Sequence, residues 1–316
     1  MRSTRVTIPP AGPSGRLLAG TLAAALILGA GGQQRDPDRP SPTAHGGGVR
    51  IWLKMRIGTG EVATWLYAPA AAAAATANPA SADSPAAAPR ADGAVSGPER
   101  TAAPLPVLFY SGEFGWTQIH QETATRLAQQ GRYVLGVDLP TYFQKDVESS
   151  VLAADFATFR ATLNSKAGRP PDAPLLLAGF GYGAEMIPYV LNRSGTRGVQ
   201  GALLMAPDQD GAKVFRASIL LKMPSPPEEV FDVGDEIRHL APIPVVFLDG
   251  ANDDRAQGRT FFKQVKGPRR YVPIPGGDHQ FHDARDLYFE QVINSLRWLE
   301  TQASGARPPE APAPPQ

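Results

Sequence analysis

The 316-residue sequence contains no cysteine. That absence excludes disulfides, thiolate nucleophiles, cysteine-ligated metal and a lipoprotein anchor on cysteine. Net charge is nearly absent too: 31 Lys and Arg stand against 30 Asp and Glu, a formal +1. The charges are spread along the chain and not gathered into basic blocks, so the footprint of a nucleic-acid binder is missing.

A long hydrophobic run is also lacking. Arg2, Arg5 and Arg16 precede the apolar stretch Leu17 to Ala30, and small residues close it. The stretch is shorter than the roughly 20 apolar residues of a membrane span. A basic start, a short apolar core and a small-residue exit are the pattern of a secretory signal. Residues 1–32 are therefore expected to direct export to the periplasm. The exit is not a clean A-x-A, so an uncleaved inner-membrane anchor, with membrane contact through this segment, is the other reading.

Residues 33–48 read as a linker. Val49 to Ile57 alternates apolar and polar, Glu61 to Tyr67 is a second strand-like run, and Gly58-Thr59-Gly60 joins them. A β-hairpin over 49–67, belonging to the sheet, is expected. Residues 68–104 are dominated by Ala, Pro, Ser and Gly, which bury too little apolar surface to fold; they read as a disordered insert. Residues 304–316 are a tail of the same kind.

Between them, 105–303 changes character. Apolar strands recur at Leu105–Tyr110, Tyr133–Val137, Pro174–Ala178, Val199–Ala206, Ile243–Leu248 and Arg270–Ile274. Helical stretches separate most of them, at Thr117–Gln130, Asp146–Ser165, Ala184–Leu191, Ala256–Val265 and Ala284–Thr301. Such alternation predicts an α/β fold, a mostly parallel sheet with helices on both faces. In such sheets ligands bind beyond the carboxyl ends of the strands.

The centre of that pattern is Pro174 to Leu191: a buried strand, a glycine-dense turn and a helix with Pro188 as an expected kink. Two chemistries use such a turn. The nucleophile elbow G-x-S-x-G has the spacing of Gly179-Phe180-Gly181-Tyr182-Gly183, with Gly181 at the serine position. The dinucleotide fingerprint G-x-G-x-x-G/A is met by Gly179, Gly181 and Ala184, with Asp208 as its downstream acid.

The other strand ends favour the elbow. Ser111 to Trp116 follows the first core strand, where a hydrolase places its oxyanion loop; backbone N–H groups of Gly112 or Glu113, with Tyr182, would form the hole. Asp253 follows the strand ending at Leu248, where the acid of a Ser-His-Asp set belongs, with Asp254 and Asp249 as fallbacks. His279, and after it His282, lies between the last strand and the last helix, the place of the base. Turn, acid, histidine is the α/β-hydrolase order. The dinucleotide reading leaves the aspartate loop and His279 without a role.

The segments LPVLFYSGEFGW, YVLGVDLPTYF, LLLAGFGYGAEMIPYV, VQGALLMAP and PIPGGDHQF together resemble the bacterial virulence proteins VirJ and AcvB, over roughly Leu105 to Leu299. Family members read approximately SGDGGW, VGVDSLRYFW, GYSFGADV and GGHHF at four of these places. The resemblance implies an exported α/β-hydrolase-fold protein without metal or organic cofactor. For AcvB-like members it implies hydrolysis of the aminoacyl ester of lysyl-phosphatidylglycerol. For VirJ-like members it implies a part in the periplasmic handling of secretion substrates, with secretion-system or periplasmic proteins as partners. The departures are Gly181 for the elbow serine, Phe114 for a glycine in the oxyanion loop and Asp278 for the first loop histidine.

A serine-hydrolase fold without its serine leaves open whether the chain is an enzyme. Three readings stand: a binding-only site, a His279–Asp253 dyad activating water in the space at Gly181, and a substitute hydroxyl from Ser111 or Tyr182. The strand ends are acidic, with Glu113, Asp138, Asp208, Asp210, Asp253, Asp254 and Asp278, and Glu185 nearby. A one-signed rim favours a cationic ligand, such as the headgroup of an aminoacyl phospholipid. Ser111, Trp116, Asp138, Asp208 and Asp278 are the expected substrate contacts. Asp138 to Phe143 and Asp208 to Pro227 are expected as pocket walls, with Val214 to Met223 as an extra strand or lid.

Overall fold

The computed structural model describes residues 43–45, 48–58, 60–70, 72, 103–221 and 223–303. The signal expected at 1–32 and the tail at 304–316 lie outside the described residues, as do most of the linker at 33–48 and of the insert at 68–104. Among the described residues, no helix is long and apolar enough to cross a membrane.

The elements in chain order are β1 (Thr43–His45), β2 (Gly48–Ile57), β3 (Gly60–Pro69), β4 (Val107–Tyr110), α1 (Gln118–Gln129), β5 (Val134–Val137), the single turn α2 (Leu139–Tyr142), α3 (Ser149–Lys166) and β6 (Leu175–Phe180). Then come α4 (Tyr182–Ser194), β7 (Val199–Met205), β8 (Asp210–Ala212), the short α5 (Ala217–Leu220), β9 (Val230–Asp232), α6 (Val233–His239), β10 (Val245–Gly250), α7 (Gly258–Phe262), β11 (Arg269–Ile274) and α8 (Arg285–Ala303). Among these, nine strands form one sheet in the order β1-β2-β3-β5-β4-β6-β7-β10-β11. From β5 to β11 neighbouring strands are parallel, whereas β3 runs antiparallel to β5 and carries the β2–β3 hairpin at the sheet's edge.

The apolar runs of the central strands divide by alternation. In β4, Leu108 and Tyr110 face one core while Val107 and Phe109 face the other; in β6, Leu175 and Leu177 part in the same way from Leu176, Ala178 and Phe180. Successive strand side chains point to opposite faces, so a continuous apolar run requires cover on both. α3, α4, α6 and α7 pack on the first face, α1 and α8 on the second.

Polar fasteners hold the layers. Both oxygens of Glu300 on α8 accept from Arg132, at 2.6 and 2.8 Å, and Oε1 also accepts the Leu105 N–H at 2.7 Å. Asp155 on α3 accepts from the Gly58 N–H at the hairpin turn (2.8 Å) and from the Tyr142 hydroxyl (3.0 Å).

Element boundaries differ from expectation where local chemistry decides. α4 begins two residues early, at Tyr182, because Ala184 and Glu185 N–H groups already bond to the Gly181 carbonyl; it continues through Pro188 to Ser194. Among its described residues the segment Val214 to Met223 forms no strand; it carries the short α5, and its Ile219, Leu220 and Met223 line the cleft described below. Asp138 to Phe143 does not line that cleft: Leu139, Tyr142 and Phe143 are core residues, and Asp138 caps α2 by accepting the Thr141 N–H at 3.2 Å.

Candidate active site

β6 ends at Phe180, and Gly181 turns the chain into α4 with φ 50° and ψ −119°. A positive φ of this kind strains any residue with a Cβ. Its neighbours have a different reason to be glycine. A Cβ on Gly179 would meet the Gly183 carbonyl oxygen at 2.4 Å, and one on Gly183 would meet the Tyr110 oxygen at 2.5 Å. The elbow is thus packed backbone to backbone.

His279 arrives on the loop after β11. Phe281, fully buried with φ 55°, anchors that loop by stacking on Tyr288 of α8 at 4.6 Å. His279 Nδ1 lies 2.7 Å from Asp253 Oδ2, and the other Asp253 oxygen accepts the Arg255 N–H at 3.1 Å. Turn, acid and histidine therefore converge, with a Cβ on Gly181 falling 3.7 Å from His279 Nε2.

The serine's space is not empty. Glu113 Oε2 lies 2.7 Å from where a Gly181 Cβ would stand, and Glu113 Oε1 is 3.8 Å from His279 Nε2. His279 and Arg255 attract the carboxylate there. His279 sits between two carboxylates. Burial would lower its pKa, but the bond to Asp253, the nearby Glu113 carboxylate and the Asp253 charge win, raising it to about 9. Burial would likewise raise Glu113 and Asp253, yet their contacts with His279, and those of Glu113 with its own backbone N–H and with Arg255, hold both below the usual carboxylate range. The resting site is carboxylate, imidazolium, carboxylate.

Above it opens a cleft of about 690 Å³. Glu113, Glu185, Asp208 and Asp210 line it with Arg255 and His279, and Phe114, Ile219, Leu220 and Met223 form an apolar lip. Glu185, on the first turn of α4, is pushed up to about 8, by burial first and then by the charges of Glu113 and Asp208.

The remaining expected site residues lie elsewhere or are committed. The Gly112 N–H donates to His120 Nε2 at 3.0 Å and is not free for an oxyanion. His120, which sequence reasoning missed, is buried and pushed down to about 3, so it stays neutral; its spacing from Thr117, whose hydroxyl lies 2.9 Å from Nδ1, was the available signal. Ser111 is fully buried with its Oγ accepting the Leu139 N–H at 3.1 Å, and the Tyr182 hydroxyl donates to the Ala212 carbonyl at 2.7 Å. Neither hydroxyl is placed to substitute for the serine. Trp116 packs among Trp65, Tyr67 and Phe109, away from the cleft.

Asp278 is exposed and paired with His282 at 2.8 Å, Asp254 is exposed, and Asp249 is buried, pushed up to about 7 by burial and by Asp253. Of the expected substrate contacts only Asp208 lines the cleft. Nor does the dinucleotide reading fit: the α4 N-terminus, where a pyrophosphate would bind, faces the Glu113 carboxylate. Among the described residues no group of three or more His, Asp or Glu is arranged to hold a metal.

The profile of a family described as bacterial virulence protein (VirJ) matches residues 105–299. No curated protein matches the chain significantly. Solved structures similar in fold include a candidate dienelactone hydrolase from Klebsiella pneumoniae (15% identity, TM-score 0.53, 81% of this chain and 99% of that one). A dienelactone hydrolase from Anabaena variabilis is similar at 14% identity and TM-score 0.52, over 80% of this chain and 99% of its own. Est1E from Butyrivibrio proteoclasticus follows at 14% and 0.50, over 81% and 100%. At these identities the likeness shows the fold, which is that of the α/β-hydrolases.

Proposed function

The chain belongs to the VirJ family of bacterial virulence proteins, and from that premise we propose that it is an exported protein whose hydrolase-type cleft recognises a ligand bearing a cationic group. The observation that carries this reading is the carboxylate wall of Glu113, Glu185, Asp208 and Asp210 around the cleft. Against the cations Arg255 and His279, and with Glu185 neutral below pH 8, the remaining carboxylates leave the cleft net negative, and a recessed site focuses that field on a cation. The family resemblance supplies the class: an aminoacyl lipid headgroup such as that of lysyl-phosphatidylglycerol. Acyl transfer through a serine is closed to this chain, because Gly181 offers no oxygen and a carboxylate stands in its place.

A second reading is favoured by one distance, the 2.7 Å pair of His279 and Asp253. In it the dyad activates water and hydrolyses the same aminoacyl ester. The base form of His279 is then needed, so turnover would rise with pH toward 9. Calorimetric titration with a lysyl ester and with an anionic analogue tests the first reading; equal affinities for the two would defeat it. Turnover of lysyl-phosphatidylglycerol by wild type, His279→Ala and Gly181→Ser tests the second. Loss on the histidine change supports the dyad, and activity only in the serine variant supports recognition. Neither binding nor turnover in any variant points to a role with a periplasmic or secretion-system protein partner. Fractionation of cells producing the full chain checks export.

A further inference from the structure

The Glu113 carboxylate occupies the place of the absent nucleophile, within reach of both the elbow and the histidine, and it lines the open cleft. Carboxylates serve as covalent nucleophiles in other enzymes. We propose that Glu113 is a nucleophile for displacement at an alkyl carbon, and that the substrate class is a strained cyclic ether, an epoxide. This activity goes beyond the recognition of a cation and does not depend on it.

The choice of electrophile follows from the product each would give. A carboxylate attacking an acyl ester makes a mixed anhydride, more reactive than the ester it came from. Attack at an alkyl carbon makes an ordinary ester, which a histidine-activated water can cleave. An epoxide also needs a proton for its departing oxygen, and the imidazolium of His279 stands beside Glu113 to supply one.

The steps balance. Glu113 Oε2 bonds to a ring carbon as the carbon–oxygen bond opens, and the alkoxide takes a proton from His279, leaving a hydroxyalkyl ester on Glu113 and a neutral imidazole. Water then attacks the Glu113 carboxyl carbon while His279, oriented by Asp253, accepts its proton. The ester bond breaks, and the departing alkoxide takes that proton and leaves as a diol. The new carboxylic acid returns its proton to His279, restoring the resting state. Epoxide and water become diol, with no oxidant or cofactor required.

The test uses the full chain and two probes, the cationic glycidyltrimethylammonium and the neutral epoxybutane. A single turnover in heavy-oxygen water, with protein in excess, is followed by peptide mass spectrometry. The expected result is heavy oxygen in the Glu113 carboxylate and ordinary oxygen in the diol, with acid quenching trapping the ester on Glu113. Conversion should fall by at least about 100-fold in Glu113→Gln. Heavy oxygen found only in the diol would overturn the proposal, as would absence of conversion and adduct with both probes. If epoxybutane reacts as well as the cationic probe, the nucleophile stands while the preference for cations falls. The isotope readout needs only the wild-type chain, so misfolding of the variant does not blur it.

Discussion

Gly181 and the Glu113 carboxylate compete for one space: a Cβ on the glycine would lie 2.7 Å from Glu113 Oε2, the mobile end of its side chain. The missing serine and the acidic oxyanion loop are therefore one feature read at two positions. Gly181→Ser should cost about 1–3 kcal/mol, from the positive φ and from the displaced carboxylate. Glu113→Gly in the same chain removes the contact and leaves only the backbone strain. Urea unfolding of the two single variants and the double variant should give a coupling of about 0.5–3 kcal/mol. Additive effects would mean that the two side chains do not compete.

His279 should titrate near pH 9 in the folded protein, raised from 6.5. Either Glu113→Gln or Asp253→Asn removes one of the carboxylates that hold the proton, so the titration should move down, followed by the imidazole resonances in NMR. The sign for stability follows. A folded-state pKa above the unfolded one means the folded chain binds more protons between them, so the contribution is full below pH 6.5 and lost by about 9. In Glu113→Gln the fall in stability across that window should be shallower.

Arg132 and Glu300 form a nearly buried, two-pronged pair joining α8 to the segment before β5, and both also bond to Leu105 ahead of β4. Breaking one partner of such a pair leaves a charge without compensation, which costs about 3–5 kcal/mol. Arg132→Ala should therefore lower the urea midpoint sharply without touching the cleft. Lysyl-ester affinity at temperatures where the variant is folded should stay within about twofold of wild type.

The scaffold was legible because its signals are periodic and local. Strand–helix alternation over 105–303 and the order Gly181, Asp253, His279 depend on spacing along the chain, and the parallel sheet and the convergence at β6, β10 and β11 follow from them. What escaped were relations set by side-chain length and by competition for donors. Nothing in SGEFGW says that Glu113 bends back over Gly181, or that His120 takes the Gly112 N–H needed for an oxyanion. In the sequence the acidic rim reads as one set. In the structure Glu113, Glu185, Asp208 and Asp210 reach the cleft, whereas Asp138 caps α2 and Asp278 pairs with His282.

Glu185 connects the cleft's charge to pH. Its carboxyl is pushed from 4.5 to about 8, because burial and the neighbouring Glu113 and Asp208 charges disfavour ionisation. Below pH 8 it is neutral and adds nothing to the attraction for a cation; above, it contributes a buried negative charge. Affinity for an Nα-acetylated lysyl ester should therefore rise as pH passes through 8, because its one ammonium, with an ordinary pKa of about 10.4, remains charged while the free α-amino group of an unblocked ester, at about 8, would not. Glu185→Gln, which keeps the shape and an acceptor for the Asp208 N–H, should match wild type at pH 6 and lose the part of the rise centred on 8, keeping only that from loss of the His279 charge near 9. Added salt should weaken binding in both proteins, since the exposed carboxylates are screened over about 10 Å at 0.1 M. The same carboxyl also destabilises the fold as pH climbs from 4.5 to about 8, where the unfolded chain has released a proton that the folded chain retains. The glutamine variant should be flatter there. An affinity independent of pH in wild type, or an equal rise between pH 7 and 8 in Glu185→Gln, would show that this carboxyl does not face the bound cation.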